Sequence, residues 1–169
     1  MEYKKITVVD ENDNVIGYEN YHDAVAKGSI RRASVVFIFN EYEEILVQKR
    51  SEHISNPLLL DKSCAGHVDE GEEYIDTAKR ELKEELGIEK CSLTEVVSSH
   101  KRNENFFDTV YTTILPKETQ FLIDPHEVHS VQWMSIKQLE TLMETEPTTF
   151  TSNFITLWTA LRDRLIQTL

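Results

Sequence analysis

The sequence predicts one mixed α/β (α+β) domain over residues 1–169. Three observations lead there. Residues 33–39 and 45–49 are β-branched and aromatic runs either side of a polar turn, residues 72–86 carry a helical apolar stripe, and a second such stripe covers 151–168. A chain of 169 residues has the size of one ordinary domain. Such a chain buries about 70% of its unfolded surface, so it needs no disulfide or metal staples. With 40% hydrophobic and 28% charged residues, its composition is globular. The expected core is 30–165, with a hairpin and a short helix ahead of it at 1–29.

The elements follow in order. Residues 6–10 (Ile-Thr-Val-Val-Asp) read as a strand, 11–14 as a turn, and 15–18 as the returning strand. Asp10, Asn12 and Asn14 imitate the opening of a calcium loop, but Val15 replaces its glycine and Tyr21 its final glutamate. A hairpin turn is the better reading. Residues 21–28 form a short helix ending at Gly28. The run at 33–39 (Ala-Ser-Val-Val-Phe-Ile-Phe) is apolar enough for burial on both faces. Residues 40–44 turn the chain and 45–49 return as a strand. Residues 51–65 are irregular, broken at Asn56-Pro57. The helix at 72–86 stops at Gly87. Strands follow at 93–99, 106–115 and 128–134. Ser135 and Gln138 form a capping box for a helix through Met143. Beyond Pro147, residues 151–168 are a helix with Phe154, Leu157, Trp158, Leu161 and Leu165 on one stripe.

The chain carries 30 acidic and 18 basic residues, a net charge of −12. Such a field repels a phosphate backbone and argues against a nucleic-acid polymer as partner. A small phosphorylated ligand remains compatible if metal ions screen its charge. No apolar run reaches the ~18 residues of a membrane span, and the opening residues lack a signal peptide's apolar stretch. The expectation is a cytoplasmic protein, off the membrane, monomeric or homodimeric. Two cysteines, Cys64 and Cys91, make no disulfide framework.

At about 100° per residue, Ile75, Ala78, Leu82 and Leu86 fall together on the helix and face the core. Glu81, Glu84 and Glu85 share a neighbouring arc, while Lys79, Arg80 and Lys83 lie on the other side. Glu81 and Glu85 are like charges at i,i+4, unfavourable by about 0.2–0.5 kcal/mol. Acids in the last turn also oppose the helix dipole, by about 0.3–1 kcal/mol each. A solvated acidic face accounts for this grouping; so does a divalent cation held by hard oxygen ligands.

The spacing separates the two. Gly66, five residues, Glu72, seven residues, then Arg80-Glu-Leu-Lys-Glu-Glu-Leu-Gly-Ile88 resembles the Nudix box, matching nine fixed positions across 23 residues. The resemblance implies a mixed sheet between helices, with the box as loop–helix–loop. It implies Glu81, Glu84, Glu85 and the Gly66 carbonyl as ligands of Mg2+, with Mn2+ as a substitute. Arg80 would pair with Glu84, Glu72 would orient the loop and the arginine, and Gly87 would let the helix end sharply. The activity implied is hydrolysis of a diphosphate linkage, usually a nucleoside diphosphate joined to another group. Glu81 or Glu84 is the expected general base, with Glu104, Glu118 and Glu127 as loop alternatives.

A narrower resemblance runs from Val9 to Arg50. The segments 9–17, 32–40 and 46–50 are similar to the isopentenyl diphosphate isomerase branch of that superfamily. An isomerase is therefore the alternative activity. Those enzymes carry a catalytic cysteine directly before the Gly-His pair, where this chain has Ala65. Their metal-binding histidine ahead of the central strand corresponds to Arg31, whereas His67 matches one of their ligands. A non-catalytic nucleotide sensor is a third possibility, but the box glutamates are all present. Lys49, Arg50 and His67 are candidate substrate contacts. His126 with His129, the aromatic group Phe106, Phe107 and Tyr111, and both tryptophans read as loop or core residues.

Overall fold

In the computed structural model, which describes residues 4–169, the chain runs β1 (Lys5–Val9), β2 (Val15–Asn20), α1 (Tyr21–Lys27), β3 (Ile30–Phe39), β4 (Glu44–Arg50), β5 (Leu60–Asp61), β6 (Cys64–His67), α2 (Tyr74–Leu86), β7 (Thr94–Asn103), β8 (Phe106–Ile114), β9 (Val128–Ser135), α3 (Ile136–Thr145) and α4 (Ser152–Ile166). No helix among the described residues is long and apolar enough to cross a membrane.

β3 is the axis of the sheet. One edge pairs in parallel with β8, from Arg31 opposite Phe106 to Phe39 opposite Ile114. The other edge is shared by β1 at Ile30 and Arg31, β6 from Ala33 to Val36, and β4 at Phe39 alone. Beyond that single pair β4 leaves β3 and joins β9 and β5. Side chains alternate along β3 with period two. Val35, Phe37 and Phe39 pack with Phe154, Leu157, Trp158, Leu161 and Leu165 of α4. Val36 and Ile38 pack with Ala78, Leu82 and Leu86 of α2. Both faces are buried, as the unbroken apolar run predicts. Each α4 stripe residue is 4% exposed or less, contributing about 1.5–3 kcal/mol by burial.

The segment 51–65 departs from its expected irregularity. It contributes β5 and the first half of β6, pairings two and four residues long that fill edges left open where β3 and β4 diverge. Ser63 bridges that divergence: its hydroxyl accepts from Ile38 N (2.9 Å) and donates to Leu46 O (2.6 Å). β3 also starts three residues before the expected strand, which brings Arg31 and Arg32 into the sheet on opposite faces.

The 10–14 segment is a hairpin turn. Asp10 Oδ1 accepts from the backbone of Asn12 and Asn14, which occupies the group a calcium loop would offer. Asp13, at φ 63° and 9% exposed, anchors the hairpin. It accepts from Arg32, Tyr74 and Ser99, drawing β3, α2 and β7 together. Asp13→Ala leaves Arg32 without its carboxylate, a loss of about 3–5 kcal/mol for a broken buried pair. Urea unfolding should show a lower midpoint at an unchanged slope; a wild-type midpoint would remove Asp13 from this role.

Candidate active site

α2 opens two residues later than the periodicity predicts, because Glu73 caps it in a reciprocal box with Asp76. Glu72 is left in the preceding loop. There it accepts from Thr77 Oγ1 (2.7 Å), Arg80 Nε (2.8 Å) and Arg80 Nη2 (3.1 Å). Arg80 spends its remaining donors on Glu81 (2.6 Å), Glu84 (3.0 Å) and the His67 carbonyl (3.1 Å). One guanidinium thus ties the loop, the strand β6 and the acidic arc of the helix together. Burial opposes that charge, but the surrounding carboxylates outweigh it and raise the Arg80 pKa.

Gly66 lies directly beneath Glu81. A Cβ there would stand 2.6 Å from Glu81 Cγ and overlap its carboxylate. The box glycine is needed for close approach, not for backbone freedom. Gly87 serves differently: at φ 71° it ends α2, with Gly87 N bonded to Lys83 O and Ile88 N to Leu82 O.

The glutamates divide. Glu81 and Glu85 are 8% and 5% exposed, and their carboxylates meet that of Glu127, with the facing oxygens all within 4.8 Å of one another. Glu84 stays outside this group, half exposed beside Arg80 and Lys4. The reason is helical geometry: Glu81 and Glu85 are one turn apart on the flank facing β6 and β4, and Glu84 is rotated outward from Glu85 by about 100°. Glu127 arrives by a backbone clamp. The N–H groups of Leu122 and Asp124 donate to Leu86 O (3.0 Å) and Glu85 O (3.1 Å), and Ser51 N donates to Glu127 O (3.0 Å). Of the three loop acids considered from sequence, only Glu127 joins the described cluster.

Burial pushes Glu81 up to about 7, although Arg80 pulls the other way. Burial first, then the charge of Glu81, pushes Glu85 up to about 8, with Gln48 Nε2 donating to it at 2.8 Å. Two buried carboxylates of raised pKa, joined by the half-buried Glu127, are the kind of oxygen donor set a hard divalent cation takes. In its absence the native state binds more protons than the unfolded chain between about pH 4.5 and 8, where both glutamates have raised pKa values. The metal-free protein should therefore lose stability, on the order of a few kcal/mol, as pH rises through that window. Mg2+ should raise the melting midpoint strongly at pH 8 and hardly at pH 5, where the carboxylates are protonated. A shift independent of pH would remove Glu81 and Glu85 from the donor set.

The other candidates sit apart. Arg50 donates to Ser55 O (2.7 Å), Ser55 Oγ (3.2 Å) and Asp61 (3.1 Å), so it organises the 51–61 loop. Lys49 follows Gln48 on β4 and points to the face away from Glu85. His67 points away from the acids and contacts Phe106 and Tyr21; burial, with Arg31 and Arg102 nearby, lowers it to about 4. His126 stacks on His53 at 5.4 Å. Cys64 is buried near Glu85 and Glu81, and burial pushes its thiol well above the ordinary range.

With this geometry in place, three comparisons bear on the chain. The family model described as NUDIX domain matches residues 29–154. An isopentenyl-diphosphate Delta-isomerase of Pectobacterium atrosepticum is 32% identical over 162 residues, covering 91% of this chain and 89% of its own. A Yersinia pestis protein described as an uncharacterized Nudix hydrolase is 30% identical, covering 76% and 71%. Among solved structures, DR0079 from Deinococcus radiodurans superposes at TM-score 0.73 with 23% identity, covering 84% of this chain and 90% of that one. The NUDIX domain of Shewanella oneidensis NrtR, complexed with ADP ribose, superposes at 0.60 with 17% identity, covering 87% and 99%.

Proposed function

The chain belongs to the NUDIX domain family, and on that premise we propose that it is a divalent-cation-dependent hydrolase of a small-molecule diphosphate. One observation carries the reading: the carboxylates of the buried Glu81 and Glu85 and the half-buried Glu127 converge, with Glu81 lying against Gly66. These residues, with the Gly66 carbonyl, would hold Mg2+ or Mn2+. The cation supplies electrophilic assistance, neutralising phosphoryl oxygens and making water more acidic. Glu81 takes the proton of the attacking water. Arg80 fixes the orientation of Glu81, and Gln48 that of Glu85. Glu84 balances the Arg80 charge from outside the trio. The unit of function in this reading is the one domain over 1–169, and its partner is the small diphosphate.

The named isomerase relatives favour a second reading, isomerisation of a prenyl diphosphate. Two features weigh against it. On β6, Cys64 packs with the α2 core while His67 points to the opposite face, so the thiol and the imidazole do not share a site. Ala65, which packs on the α4 side, has no chemistry to offer. Turnover should be measured against nucleotide sugars, dinucleotides, nucleoside triphosphates, coenzyme A and isopentenyl diphosphate, with Mg2+ or Mn2+ and with chelator. Cation-dependent cleavage of a diphosphate supports the hydrolase. Isomerisation without cleavage would overturn it.

A further inference from the structure

Behind the acidic trio, on the other face of β6, lies a second group of charges that hydrolysis does not use. His67 there touches Phe106, with ring centroids 5.6 Å apart. The Phe106 ring also carries the guanidiniums of Arg31 and Arg102, each 4.3 Å from its centroid. Arg31 is 7% exposed and the Arg102 side chain 4%. Asp108, fully buried, lies 3.2 Å from Arg102 Nη1, close but not aligned for a hydrogen bond. Arg31 has no carboxylate within ion-pair distance among the described residues. Among the described residues, its Nε, Arg102 Nε, His67 Nε2 and both Asp108 oxygens lack hydrogen-bond partners.

Arg102 feels two buried carboxylates, Asp108 and Asp61, but Asp61 is already paired with Arg50 and Lys62, so the two guanidiniums leave positive charge in the interior of a chain of net charge −12. Buried charge without a partner is destabilising, and apolar residues of similar shape serve a fold better. Planar guanidiniums with free N–H groups match the paired oxygens of a phosphate or carboxylate. Among the described residues β6 pairs only with β3, and Ala65, Gly66 and His67 are half-buried. Gly66, against Glu81, and His67, against Phe106, are consecutive on β6, so the two groups of charges lie on opposite faces of one strand.

We propose that Arg31 and Arg102 form an oxyanion subsite, and that the substrate carries an acidic group beyond the diphosphate that is cleaved. The second clause rests on the hydrolase reading; the subsite itself does not. Titration calorimetry with inorganic phosphate, in chelator, tests the subsite directly. Wild type should bind, and Arg31→Met should weaken binding at least tenfold with an unchanged or higher melting midpoint. Glu85→Gln should bind phosphate as wild type does. Should Arg31→Met fail to fold, the double variant Arg102→Met/Asp108→Asn carries the same test with one charge of each sign removed. No phosphate binding by wild type, or full binding by these variants, overturns the subsite. Kinetics then separate the sources of the anion. If the substrate's own group fills the basin, Arg31→Met raises KM at least tenfold only for diphosphates bearing a further phosphate or carboxylate. Unchanged KM values with weakened phosphate binding assign the basin to free phosphate and overturn the second clause. Phosphate binding without hydrolysis of any diphosphate leaves the subsite standing and sinks the hydrolase.

Discussion

Glu85→Gln should lower cation-dependent turnover by about 10²–10³-fold or more, the range for losing one preorganised electrostatic group. It should also make the metal-free protein more stable at pH 8. Glu85 is 5% exposed, and burial with the neighbouring Glu81 charge pushes it up to about 8. Glutamine has the same shape, can still accept from Gln48, and removes a charge that burial opposes. At pH 5 the wild-type carboxylate is protonated, so the stability difference should vanish there. Glu84→Gln, half exposed and outside the trio, should cost much less turnover. Measuring kcat/KM and melting midpoints at both pH values checks this. Equal losses for the two variants would show that Glu84 enters the working donor set.

Gly66→Ala should be nearly as damaging to turnover, about 10²-fold, by a different route. Its backbone is ordinary β-structure, so alanine is conformationally acceptable; the obstacle is the Glu81 side chain against Cα. Something must shift, and overpacking of this kind costs about 1–3 kcal/mol. The Gly66→Ala/Glu81→Ala double variant should recover stability without recovering activity, because the clash is gone and so is the carboxylate. Additive stability losses in that cycle would mean that the two residues do not meet.

Much of this site is legible in the sequence because a helix fixes angular relations among its own residues. The α2 stripe of Ala78, Leu82 and Leu86, the adjacent acids, and the Arg80–Glu84 pair all follow from one period. The Nudix box spacing adds Gly66 and Glu72, whose partners then appear in the structure. What one period does not contain is a contact made by another segment. Glu127 reaches the trio through backbone bonds from Leu122, Asp124 and Ser51, and any residue type can make those. Gln48 lies in the strand expected over 45–49, and strand period alone does not tell which polar residue will meet a carboxylate from a helix. The arginine basin escaped because the apolar run begins at Ala33, whereas the strand begins at Ile30. Arg31 lies outside the expected strand, so its period assigns it to no face. Glu84 shares the acidic arc with Glu81 and Glu85 but stands half exposed beside Arg80, a difference of surroundings that one helical period does not contain.

The clamp on the end of α2 also bears on where this chain can change length. Leu122 and Asp124 are pinned to the helix carbonyls, and Glu127 follows the second pin by three residues. An added residue between Asp124 and Glu127 would move the carboxylate out of register with Glu81 and Glu85. One added beside the exposed Glu118 or Gln120 lies upstream of both pins and should be absorbed as a larger surface bulge. Homologous chains should therefore differ in length on the near side of Leu122 and hold a fixed count beyond it, so that the loop is free to diversify without disturbing the carboxylate that it delivers.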